Sequence, residues 1–270
     1  MKKITKMALA ASLLVGGIAS TQACSLGAWD DNATSTSLAG GPAEAGVLNF
    51  ARYQGLCSMK TDGASPAVKN NGVGGATSGP AGEASMIARF YFLPGAATGD
   101  IFTTYSDDLA TTAIYTVSYA GGNVTVTPNG GGAPAVVAVG GTNWHSVEVK
   151  WANNGGAIDV WVDTDAITAA ADASTTSAAT ADTIQAGILG GTAGMIFDAY
   201  ESRRTTSVGR LVPGDATGNS VVDVFDLIGI KNEVLGNSFA SGTPDCNESG
   251  TAAKVDVFDL ICVKNIILGN

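Results

Sequence analysis

This sequence predicts a mainly β protein, an antiparallel two-sheet sandwich followed by a small duplicated α-helical module. Three observations predict it. The chain of 270 residues carries 36 glycines and only 14% charged residues, and its Thr-, Ala- and Val-rich texture suits strands and turns better than long helices. From about residue 46 to 202, short segments of alternating polarity are separated by Gly, Asn, Pro and Asp, the rhythm of hairpins in a sandwich. Residues 222–237 then recur at 255–270 with 12 identities in 16 positions, which marks a duplicated unit.

The strands follow in order. Residues 85–93 place Met86, Ala88, Phe90 and Phe92 on one face and Arg89 with Tyr91 on the other. Residues 113–119 are rich in β-formers, and residues 123–127 and 135–139 are further short strands. The clearest pair is 145–151 and 157–163. Val147, Val149 and Trp151 oppose Glu148 and Lys150, while Ile158, Val160 and Val162 oppose Asp159, Trp161 and Asp163. Between them Asn153, Asn154, Gly155 and Gly156 tolerate positive φ, so a hairpin is expected. Residues 164–183 are an Ala/Thr/Ser/Asp tract, expected as a loop, and residues 195–201 read as a last strand.

The two ends place the protein in an oxidising compartment. Lys2, Lys3 and Lys6 precede an apolar run from Met7 to Ala19, and small residues then lead to a cut after Ala23. This is the pattern of a cleaved secretory signal, residues 1–23. The run is too short for a good membrane span. Cys24 follows the cut, but Thr21 stands where a lipoprotein signal usually has Leu. Disulfides are then permitted. Local pairing of Cys24 with Cys57 and of Cys246 with Cys262 would staple each end separately, and other pairings are formally open. Removing the leader's three lysines leaves 11 basic against 24 acidic residues, a net charge of −13. So acidic a chain repels nucleic acid and anionic membrane surfaces, and its acidity suits calcium.

Part of that acidity lies in two loops, one before each copy of the repeat. Calcium takes several oxygens at close range, and a 12-residue loop presents them at positions 1, 3, 5, 7, 9 and 12. Counted from Asp215, these are Asp215, Thr217, Asn219, the Val221 carbonyl, Asp223 and Asp226. Ser220 stands at the sixth position, where Gly is usual. The second loop is three residues longer, and Asp245, Asn247, Ser249, Asp256 and Asp259 are its candidate ligands. The alternative for it is a degenerate site held by a Cys246–Cys262 disulfide. Each loop leads into an amphipathic helix with the apolar stripe Leu227, Ile230, Val234 and Leu235, or Leu260, Val263, Ile267 and Leu268. Gly236 and Gly269 stand where a left-handed cap would end each helix.

The run Gly214-Asp215-x-x-Gly218-Asn219-x-Val221-Val222-Asp223-x-x-Asp226-Leu227, with its duplication, resembles type I dockerins, whose loops are variants of the EF-hand (F-hands). The segments 143–149, 160–163 and 196–202 resemble the concanavalin A-like, or laminin-G-like, jelly rolls. The domain division expected is therefore a β-sandwich over residues 24–210 and a dockerin-like calcium-binding module over 211–270. The dockerin resemblance implies Ca2+ and a cohesin-like partner. Val224-Phe225 and Val257-Phe258 stand where dockerins commonly carry small hydroxyl residues that contact cohesin. They either form an unusually apolar partner face or pack internally or onto the sandwich.

The jelly-roll resemblance admits glycan binders, protein binders and glycosidases. Trp161 and Tyr91 are candidate platforms for a polysaccharide, if they do not pack beneath loops. The Glu-x-Asp-x-x-Glu strand of the jelly-roll glucanases is absent from this sequence. Glu148 and Asp159 lie on neighbouring strands as ordinary charges, and His145, the one histidine, reads as structural. The expected protein is a noncatalytic binding protein, secreted or held at the cell surface. The alternatives are a polysaccharide-degrading glycoside hydrolase of an extracellular complex, and a surface protein whose dockerin packs on its own sandwich.

Overall fold

The computed structural model describes residues 37–39, 53–55, 58–61, 67–70, 82–107, 110–173, 179–189, 195–238, 240–248 and 255–270. The expected leader 1–23, Cys24, Cys57 and Ser249 lie outside these residues. Among the described residues, thirteen strands precede two helices. They are β1 (Ser37–Ala39), β2 (Ser58–Thr61), β3 (Ala67–Asn70), β4 (Ser85–Leu93), β5 (Gly99–Tyr105), β6 (Ala113–Ala120) and β7 (Asn123–Pro128). β8 (Ala135–Ala138), β9 (His145–Ala152), β10 (Ile158–Val162), β11 (Ala169–Ala171), β12 (Thr183–Leu189) and β13 (Met195–Arg203) complete the sandwich, and α1 (Val224–Val234) and α2 (Val257–Leu268) follow.

The strands form two antiparallel sheets, a jelly-roll sandwich. One has the order β1-β2-β13-β4-β9-β10-β11 and the other β3-β12-β5-β6-β7-β8. Strand alternation drives the packing. Met86, Ala88, Phe90 and Phe92 of β4, Val147, Val149 and Trp151 of β9, and Ile158, Val160 and Val162 of β10 all enter one core. From the opposite sheet Phe102, Tyr115, Val117, Val124 and Val126 meet them, and the Phe90 and Phe102 rings stack with centroids 4.9 Å apart. Part of the 164–183 tract, expected as a loop, is strand. β11 pairs along Ile158–Val160 of β10, where alanines serve because an edge strand on a finished core needs only small residues.

The outer face of the seven-stranded sheet is also covered. Ile87, Arg89, Tyr91 and Leu93 of β4 are buried there. Residues 204–212 run across this face as a strap. Ser85 Oγ donates to the Arg204 carbonyl (2.7 Å), Arg89 Nη1 to the Gly209 carbonyl (2.9 Å), and the Leu211 N–H donates to Tyr91 Oη (2.8 Å). Glu148 accepts from the N–H groups of Gly209 (2.6 Å) and Val208 (3.3 Å). The strap leads into the helical module, whose small core joins Ala216, Ile230, Ala240, Cys246 and Val263. Cys246 and Cys262 form a disulfide with Cα atoms 5.9 Å apart.

The predicted helix stripe is only half buried. Ile230 and Val263 are sealed and Leu227 and Leu260 pack at the margin, but Val234, Leu235, Ile267 and Leu268 are exposed. Among the described residues, no third element covers the last turn of either helix. Gly236 and Gly269 do adopt left-handed φ, 73° and 69°. Among the described residues, no helix is long and apolar enough to cross a membrane.

Candidate functional site

The first acidic loop is built by its own carboxylates. Asp215 Oδ1 accepts from the N–H groups of Gly218 (2.8 Å) and Asn219 (3.0 Å), and Oδ2 from that of Ser220 (2.7 Å). This curls the loop back over its first residue. Asp226 closes the other end, its Oδ1 accepting from the Thr217 N–H and hydroxyl, both at 2.8 Å. The Thr217 hydroxyl also lies 3.3 Å from Asp215 Oδ1. Asp215 and Asp226, both buried, are thus joined through one hydroxyl and otherwise held by neutral N–H donors.

Asp223 and Asp226 have a second occupation. Asp223 Oδ1 accepts from the Phe225 N–H (2.7 Å), while Asp226 Oδ2 accepts from the Asp223 N–H (2.8 Å), a capping box that starts α1. Asp256 and Asp259 repeat it at α2. Asn219 Oδ1 accepts from the Val221 N–H at 2.8 Å. The structure therefore brings Asp215, Thr217 and Asp226 together, whereas Asp223 and Asn219 serve local turns and Val221 is exposed. Among the described residues, no group of three or more His, Cys, Asp or Glu side chains is arranged to hold an ion. What fits a hard cation is the donor chemistry, two buried carboxylates bridged by a hydroxyl.

The second loop differs. Asp259 Oδ1 accepts from Cys246 N–H (2.9 Å) and Asn247 N–H (3.2 Å), matching Asp226. Burial holds the Asp259 carboxyl above the usual carboxylate range, with N–H donors opposing the shift and the Asp256 charge adding to it. Asp245 is buried. Glu248, absent from the predicted set, points out of the loop towards the sandwich.

The four residues predicted for partner contact, Val224, Phe225, Val257 and Phe258, pack neither internally nor onto the sandwich. Phe225 is 65% exposed and Phe258 62%, with both valines exposed beside them. Each pair occupies the first turn of a helix, where the capping box turns it away from the small core.

Tyr91 corrects the sequence reading. Its ring is fully buried, stacks on Tyr53 with centroids 3.8 Å apart, and lies beneath the strap. It offers no surface to a sugar. Burial pushes its phenol above the ordinary range. Sequence alternation put it on the solvent side of a sheet, and a connection folded over that side. Trp161 stays partly exposed. Strand register sets Glu201 beside Arg89, Arg89 beside Glu148, and Glu148 beside Trp161. Arg89, Glu148 and Trp161 of this row line a groove of about 90 Å³, together with Ser146, Asp165 and Arg210. Asp159 pairs with Lys150 at 3.4 Å. His145 Nδ1 lies 2.8 Å from Asp163 Oδ2, with its ring against Phe92. That is a clamp between β9 and β10, at a residue, Asp163, with φ of 55°.

Fold and site together define a jelly-roll sandwich carrying a duplicated loop–helix module. No protein-family model matches the chain, and no curated protein matches it. Among solved structures it is similar to the binding domain of botulinum neurotoxin DC in complex with rat synaptotagmin II, at 10% identity and a TM-score of 0.40 over 63% of this chain and 43% of that one. A sialidase is similar at 12% identity and 0.40, over 65% of this chain and 17% of that one. A heptameric SAP-like pentraxin from Limulus polyphemus is similar at 12% and 0.35, over 66% and 75%. The matched part is less than half the length of the first two.

Proposed function

We propose that this chain is an exported, noncatalytic binding protein whose sandwich is attached to a cohesin-like partner through a calcium-dependent, dockerin-like module. The observation that carries the reading is the duplicated pair of exposed apolar residues, Val224-Phe225 and Val257-Phe258, on the first turns of α1 and α2. Large apolar side chains left in water at equivalent places in both copies forgo the stabilisation that burial gives, and a partner covering them would recover it. Calcium would be held by Asp215, Thr217, Asn219, the Val221 carbonyl, Asp223 and Asp226, and would tie the loop that sets the direction of α1. The test is capture from the host's secreted fraction by the full chain, with calcium and with chelator. A calcium-dependent partner should bind at least about tenfold more weakly to a Phe225→Asp/Phe258→Asp variant, a loss of about 1.4 kcal/mol. Equal capture by that variant would sink the reading.

A second reading rests on the Trp161 groove. An aromatic face beside Ser, Arg and carboxylate groups suits the edge of a polysaccharide. At about 90 Å³ the groove would meet a sugar chain side-on and would not engulf it. Glycan binding lost in Trp161→Ala, with no sugar released, supports it. Sugar release abolished by Glu148→Gln or Asp159→Asn would favour the hydrolase alternative.

A further inference from the structure

The two copies of the repeat hold their loops in different ways. At the fourth loop position the first copy has Gly218 with φ of 77°, and the second has Glu248 with φ of 50°. The backbone conformation is shared, but a side chain there is strained, by roughly 1–2 kcal/mol. The Glu248 carboxylate has partners that offset it. It accepts from Tyr53 Oη at 2.5 Å and pairs with Arg210 at 3.0 Å. Tyr53 is buried between Tyr91 and Trp144 on the outer face of the sandwich, and Arg210 comes from the strap. Burial pushes the Tyr53 phenol far up, so it stays a donor at any physiological pH. Close by, Gly55 N–H donates to the Gly242 carbonyl at 3.0 Å, a main-chain bond between sandwich and module.

The second loop position differs in the same sense. In the first copy Ala216 meets Gly229 of α1, and a Cβ on Gly229 would lie 3.3 Å from that of Ala216. In the second copy these places hold Cys246 and Cys262, joined by the disulfide. A covalent bond and a contact to the sandwich thus stand in the copy whose loop is three residues longer.

We infer that the second repeat is an intramolecular latch, in which Glu248 seats the module on the Tyr53–Arg210 face of its own sandwich while the disulfide ties the start of its loop to α2. The partner-binding pairs on α1 and α2 are then presented in a fixed direction. The latch rests on the duplication and needs no external partner.

Hydrogen exchange on the full chain tests it. Glu248→Gly relieves the left-handed strain but deletes the carboxylate. It should speed exchange of the Gly55 amide at least tenfold while β4 and β9 amides keep their protection, and Tyr53→Phe should act in the same direction. Unchanged or slower Gly55 exchange in Glu248→Gly would overturn the latch. In the unaltered chain, chelator should expose the Gly218, Asn219 and Ser220 amides and leave those of Cys246 and Asn247 protected. Simultaneous loss at both sites would overturn the disulfide's hold on the start of the second loop. Failure of the calcium reading would look different, as amides of both loops indifferent to chelator while the Glu248 variants still report the latch.

Discussion

Ser220 and Gly242 show how tightly single residues are specified in the module. Ser220 takes φ of 67° at the sixth loop position, where glycine would carry no Cβ penalty. Ser220→Gly should therefore raise the module's stability by about 0.5–1 kcal/mol, visible as a higher midpoint in thermal unfolding followed by circular dichroism. Gly242 is constrained by space. A Cβ there would stand 2.0 Å from the Asp215 carbonyl oxygen and 2.6 Å from Gly218 N. Gly242→Ala should cost more than about 2 kcal/mol in the same measurement. Gly269→Ala, with nothing within 4 Å but φ of 69°, should cost only about 1 kcal/mol.

At the scale of elements, each helix begins in a capping box that satisfies N–H groups with no intrahelical acceptor. Asp223→Ala and Asp256→Ala should each lower stability by about 1 kcal/mol. A double-mutant cycle should give near-additive losses if the two helices fold independently and a coupling above about 0.5 kcal/mol if they share one core. The shared cluster of Ile230 and Val263 predicts coupling. The strap depends on Glu148, whose carboxylate receives two backbone N–H groups. Glu148→Ala should leave them unsatisfied, at about 1–3 kcal/mol, and make residues 204–212 the first site of limited proteolysis.

For the whole molecule, a large sandwich core and a small module core imply unequal dependence on staples. A module of about 60 residues buries little by itself, and its disulfide, with the calcium proposed for its first loop, would supply much of its order. Chelator should remove part of the helical signal at 222 nm while the sandwich's strand signal persists. An unchanged spectrum would exclude calcium as a structural element.

Much of this architecture was legible from sequence because it is local. Alternation in residues 85–93 and 145–151 reports which side chains enter the core, since a strand has only two faces. The repeat announced two loops, two helices and two left-handed glycines, because caps and turns are satisfied within a few residues. Strands such as β5 and β12 carry weaker alternation and were recognised only in the sheet that completes them. Tertiary structure alone decided what lies over the outer face. Tyr91 became interior because residues more than a hundred positions away fold across it. Glu248 became a latch because Tyr53, 195 residues earlier, meets it there. A carboxylate's role depends on which donors surround it, and only the folded chain brings those donors together.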